Sequence, residues 1–115
     1  EEKEPRAAIL EHIARAFDLI RANHPFWKLV QQLRFQPAVQ LAAAQSIAGF
    51  QHAVNEQLTQ QFLLLGAPAP ETEARLLFAL IDGITVQYIQ SGGSYPLDEM
   101  QHLLTQKYQH GYFLG

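Results

Sequence analysis

Asp98, Glu99 and His102 are the residues whose types and spacing come nearest to a reactive cluster. His102 follows Asp98 by four residues and Glu99 by three, so on a helix the three share a face and offer nitrogen and oxygen ligands to a metal. The same acids are also what a helix N-terminus favours through its dipole, and His102 is equally well placed to face water. No metal is expected. Ser46, His52 and Asp82 supply the residue types of a nucleophile, base and orienting acid, but nothing in their spacing requires them to meet. With no cysteine, no HExxH, no GxxxxGK loop and no nucleophile elbow, the chain is expected to be neither an enzyme nor a cofactor carrier. His24 before Pro25 reads as a capping or loop residue. His52, one position off an apolar stripe, is expected to be half-buried and within reach of a ligand.

Binding is the more promising chemistry. A cavity between helices needs large apolar side chains with a few polar groups among them. Phe17, Trp27, Phe50, Val54, Phe62, Phe78, Ile81 and Tyr88 are candidates for its wall, and each can equally fill a dry core. Trp27 and Tyr88 stand out because each carries a polar atom that wants a partner when buried. Asn55 and Thr85 are the candidate polar groups, although a Thr85 hydroxyl inside a helix can also bond its own backbone.

The elements that must position these residues are helices. Ile9, Ile13, Phe17 and Ile20 recur at helical spacing after Pro5 and stop at Asn23-His24-Pro25, predicting a first helix over 6–23. A short second helix carries Phe26, Trp27, Val30 and Leu33 and breaks before Pro37. From Pro37 to Gly66, the series Val39, Ala43, Ile47, Phe50, Val54, Leu58, Phe62 and Leu65 predicts one apolar stripe along a long third helix. Its other face holds Gln40, Gln45, Gln51, Asn55 and Gln60, few charges among them, which hints at partial cover. After Ala67-Pro68-Ala69-Pro70, Glu71 and Glu73 mark the start of a fourth helix over 71–90. Beyond the Ser91-Gly92-Gly93-Ser94 turn, Leu97, Met100, Leu103, Leu104 and Tyr108 share a face of a fifth helix over 96–109. No alternating run survives as a strand, so the expected class is all-α.

The fourth helix is apolar around most of its circumference and must be covered on two sides. Leu77, Ile81, Ile84 and Tyr88 form one face, assigned to the core. Leu76, Leu80, Gly83 and Gln87 form another, assigned to a partner, because a glycine inside a helix costs about 1 kcal/mol and is tolerated where another backbone comes close. Met100 and Leu104 of the fifth helix complete the expected interface. A two-fold related copy would bring the last two helices of each chain into a four-helix bundle. A homodimer is expected. The alternative, that this helix is simply central in a five-helix domain, stays open.

Composition excludes other classes. The chain has 115 residues, 48% of them hydrophobic and 17% charged, which fits one folded domain. A formal net charge of −3 with eight scattered Lys and Arg leaves no footprint for phosphate backbones, so this chain alone is not expected to bind DNA. No apolar run approaches the ~18 residues of a membrane span, and no membrane partner is expected. The absence of cysteine fits a reducing cytoplasm, the expected compartment, without requiring it. The start at Glu1, with neither initiator Met nor signal-peptide pattern, leads to the expectation that the chain is a fragment of a longer protein.

The stretch Ala67-Pro68-Ala69-Pro70-Glu71-Thr72-Glu73-Ala74-Arg75-Leu76-Leu77-Phe78-Ala79-Leu80-Ile81-Asp82-Gly83 resembles the C-terminal regulatory half of the tetracycline-repressor (TetR) family. The pattern AxLLxALIDG carries the resemblance, and the preceding order of medium, short and long helices is similar in layout. The resemblance implies an effector-binding and dimerisation domain over 1–115, dimeric through its last two helices. It also implies a small apolar effector whose binding releases DNA from an N-terminal helix-turn-helix, a half this chain lacks. The expected function is thus effector sensing and homodimerisation in a transcriptional regulator, with a helical protein–protein adaptor as the alternative class and a small helical enzyme as a remoter one.

Overall fold

The computed structural model describes residues 4–22, 24–33, 35–91 and 93–110, without the side chains of His24, Val30, Gln31 and residues 43–47. The readings made above for Val30, Ala43, Gln45, Ser46, Ile47 and the His24 side chain therefore lie outside the described residues. The described residues form five helices and no strand: α1 (Pro5–Ala22), α2 (His24–Leu33), α3 (Pro37–Leu65), α4 (Pro70–Gln90) and α5 (Leu97–Gln109).

Local chemistry accounts for the boundaries. Both Glu4 carboxylate oxygens accept from the first turn of α1, from the Arg6 and Ala7 backbone N–H groups at 3.2 Å each, doing the work of an N-cap. Pro37 and Pro70 occupy the first turns of α3 and α4, where a missing N–H costs nothing. Gly66 ends α3 at φ +90°, a left-handed conformation that a side chain would strain. There the Gly66 N–H donates to the Leu63 carbonyl at 3.1 Å and the Ala67 N–H to the Phe62 carbonyl at 3.0 Å, satisfying two carbonyls the helix leaves over. Acids open α4 (Glu71, Glu73) and α5 (Asp98, Glu99), and Lys107 closes α5, each in the sense the helix dipole favours.

The core lies where α1, α3, α4 and α5 converge. Ile9, Ile13, Phe17 and Ile20 enter it from α1, Leu58 and Phe62 from α3, Ala74, Leu77 and Ile84 from α4, and Leu97, Leu104 and Tyr108 from α5. The Phe62 and Tyr108 rings meet at its centre with centroids 5.8 Å apart. Burying one such ring contributes about 1.5–3 kcal/mol relative to leaving it in water. The broadest helix contact is α3 against α4, while α1 packs on α5 and α3, and α2 leans on α4. Polar ties fix α1 antiparallel to α5. The Arg6 guanidinium donates to the Tyr108 carbonyl at one end, and Arg21 reaches Asp98 and Gln101 at 2.6 and 2.7 Å at the other.

One expectation needs correction. Among the described positions of the α3 stripe, the buried ones lie in the C-terminal half, where Val54 packs on the core and Leu58 and Phe62 enter it. On the same stripe Phe50 is 65% exposed and Val39 half-buried, and Leu41, off the stripe, is 84% exposed. α4 has 21 residues against the 29 of α3. Among the described residues no helix is long and apolar enough to cross a membrane.

Candidate functional site

Helix α4 separates its two apolar faces as its periodicity demands. Leu77 and Ile84 are buried, and Ile81 and Tyr88 pack partly buried against the same cluster. On the adjacent face, about 100° round the helix, Leu76 is 41% exposed and Leu80 38%, and Ala79, Gly83 and Gln87 are exposed with them. A Cβ built on Gly83 would meet nothing within 4 Å, so within one protomer nothing explains why this helix position is a glycine. The neighbouring candidates on α5 divide: Leu104 is in the protomer's own core, Met100 packs against it, and Leu103 is exposed beside them.

The nine candidate ligand-binding residues do not converge on one cavity. Phe17 is fully buried, Val54, Ile81 and Tyr88 flank the core, and Phe78 is half-buried. Phe50 stands on the uncovered half of α3. Trp27, on α2, donates its indole N–H to the Leu19 carbonyl at 3.0 Å, and its polar atom is thereby satisfied within the chain. Thr85 is buried and donates to the Ile81 carbonyl at 2.8 Å, one turn back in its own helix. Asn55 differs from these. Its side-chain oxygen is buried without a hydrogen-bond partner among the described residues, a condition that favours a donor arriving from outside the chain.

The histidine readings also resolve. His52 is exposed rather than half-buried, its ring nitrogen 3.1 Å from the Glu56 carboxylate one turn on. The charged or amphipathic side chain at that turn of α3 finds no neighbouring helix to cover it. His102 is exposed, Asp98 is committed to Arg21, and among the described residues no three histidines or acids gather as metal ligands. His12, on α1, was not singled out by any motif. Burial holds its imidazole below the ordinary value of 6.5.

A second feature joins residues that sequence spacing does not connect. A depression of about 330 Å³, open to solvent, lies where the end of α1 meets the α4–α5 turn, lined by Arg21, Tyr88, Tyr95 and the segment Pro96 to Glu99. The Tyr88 and Tyr95 rings stand at 67° with centroids 6.5 Å apart, and the Tyr95 hydroxyl donates to the Gln87 side-chain oxygen at 3.0 Å. Burial pushes the Tyr95 phenol above its ordinary value of 10.0. Tyr88 of the ligand-binding candidates and Asp98 and Glu99 of the acid–histidine cluster belong both to this wall and to the residues read from the sequence. Arg21 carried no signal beyond being basic in the last turn of α1, and Tyr95 none beyond preceding a proline.

No protein-family model, no curated protein and no solved structure matches this chain.

Proposed function

We propose that this chain is the effector-sensing and homodimerisation domain of a cytoplasmic transcriptional regulator of the tetracycline-repressor type, a non-catalytic domain that meets DNA only through a separate N-terminal half. The observation that carries this reading is the outward face of α4. Leu76, Leu80 and the bare backbone at Gly83 are left open in the protomer, on the helix whose sequence bears the family-like pattern. A second copy set across that face, with α5 beside it, forms a four-helix bundle whose surfaces are self-complementary, as a two-fold interface requires.

The effector in this reading is small and apolar apart from one hydrogen-bond donor and enters between α3 and α4, where Asn55 offers an unanswered acceptor. Differential affinity for two positions of α1 would then bias the DNA-binding half. The Arg6 and Arg21 ties that hold α1 on α5 are the contacts such a shift would break. Melting the full chain against a panel of apolar ligands tests the sensing half of the proposal. A saturable rise in Tm that Asn55→Leu abolishes is the expected result, and an unchanged Tm across the panel overturns it.

A protein adaptor is the second reading, and the uncovered half of α3 favours it. Leu41 and Phe50 are the kind of apolar anchors that a partner's groove takes from a helix. A monomer at all concentrations that forms a stable complex with a different protein supports the adaptor and removes the homodimer.

A further inference from the structure

The depression at the α1 end of the α4–α5 turn has the walls of a cation seat. Two phenol rings inclined at 67° with centroids 6.5 Å apart make a corner, and a cation set in it lies within reach of both ring faces. An aromatic face attracts cations through its quadrupole out to about 6 Å from the centroid. The charges around the corner agree. Arg21 contributes one positive charge, but Asp98 accepts from it at 2.6 Å and Asp18 lies 3.8 Å away, while Glu99 has no ion-pair partner among the described residues. With two acids and one base in the wall, the site carries a net formal charge of −1, the sign that suits a cation, although the first turn of α5 opens onto it. Its volume of about 330 Å³ suits a small organic cation.

We infer that the corner formed by Tyr88, Tyr95 and Glu99 binds a small organic cation of the quaternary ammonium class. The alkyl groups of such a cation lie against the phenol faces and shed little hydration in doing so, while Glu99 supplies the counter-charge. This site is separate from the α3–α4 space assigned to an apolar effector, about two turns further along α4 from Ile81 and at its C-terminal end, and all of its residues come from one protomer.

The test is calorimetric titration of the full chain with choline, paired with its neutral isostere 3,3-dimethylbutanol. Choline is expected to bind weakly and saturably, and the neutral isostere at least about fivefold more weakly, the ratio that cation–π attraction at a solvent-open site supports. Tyr95→Leu is expected to lose about fivefold in choline affinity and Tyr95→Phe to keep it. Glu99→Gln, at an exposed position where folding is not at risk, is expected to weaken choline and not the isostere. Equal affinity for the two probes overturns the assignment. So does choline binding unchanged in both Tyr95→Leu and Glu99→Gln, or no choline binding at all. Failure of the apolar ligand panel leaves these outcomes unaffected, and the two readings fail separately.

Discussion

Arg21 Nη2 lies 2.6 Å from Asp98 Oδ1 across 77 positions of sequence, joining the last turn of α1 to the first turn of α5. With Arg6 on the Tyr108 carbonyl, it sets the register of the two helices at both ends. Its energetic share is small, because the Asp98 side chain is 91% exposed and water screens the pair. The tie orients more than it stabilises.

A double-mutant cycle on Arg21→Met and Asp98→Asn should accordingly give a coupling of about 0.5 kcal/mol in urea unfolding, shrinking as salt is raised. Asp98→Asn alone should lose slightly more than the coupling, since the acid also complements the α5 dipole. A coupling indistinguishable from zero at low salt would show that the tie does not form in solution.

The division of α3 gives a contrast within one helix. Phe62→Ala removes a fully buried ring at the centre of the core and should cost about 3–5 kcal/mol, enough to unfold a domain of ordinary stability. Phe50→Ala, three turns earlier at 65% exposure, should change stability by no more than about 0.5 kcal/mol. Comparable losses at the two positions would mean that the first half of α3 is covered in the free protein. Urea midpoints of the two variants decide it.

Acid should weaken the fold through His12. Burial lowers its folded pKa below the unfolded value of 6.5. Above that value the ring is neutral in both states and pH has no effect through it. As pH falls below 6.5 the unfolded chain takes up a proton that the folded one resists, and stability drops until the folded pKa is passed. Tm should fall on acidification from pH 7 to 5, and His12→Gln should flatten that segment of the profile. An identical slope in the variant assigns the acid sensitivity to other groups.

Gly83 separates the protomer from the dimer. With open space around its Cβ position, Gly83→Ala should stabilise the isolated fold by about 1 kcal/mol through helix propensity. In a dimer whose backbones approach at this point, the added methyl should weaken association. Opposite signs in Tm at low concentration and in the dimer dissociation constant are the expected signature. A gain in both would move the interface away from Gly83.

Helix order and boundaries were legible because they rest on local chemistry. Pro37, Gly66, Pro70 and the acids at 71, 73, 98 and 99 act within one turn of where they stand, and the structure's helices begin and end beside them. The two faces of α4 were legible for the same reason, since periodicity separates Leu77 and Ile84 from Leu76 and Leu80 without knowledge of the neighbours. What covers a face is another matter. The spacing that places Phe62 in the core also places Phe50 on the same stripe, yet Phe62 is fully buried and Phe50 is 65% exposed, a difference set by tertiary packing and not by periodicity. Trp27 was read as a group in want of a partner and has found one in the Leu19 backbone, while the Thr85 hydroxyl bonds its own helix one turn back, as its place inside a helix allowed. The Arg21, Tyr88, Tyr95 and Asp98 cluster depends on the end of α1 meeting the α4–α5 turn, a long-range contact with no local pattern.

The central claim is that the outward face of α4 meets a second copy of this chain, and sedimentation velocity over a hundredfold concentration range, on the native chain and on Leu80→Glu, tests it most directly. Leu80 is 38% exposed in the protomer, so a charge there is tolerated by the fold and not by an apolar interface. The account predicts a concentration-dependent dimer for the native chain and a folded monomer for Leu80→Glu at every concentration. A native chain that is monomeric throughout, or a Leu80→Glu variant that dimerises as well as the native chain, would contradict it.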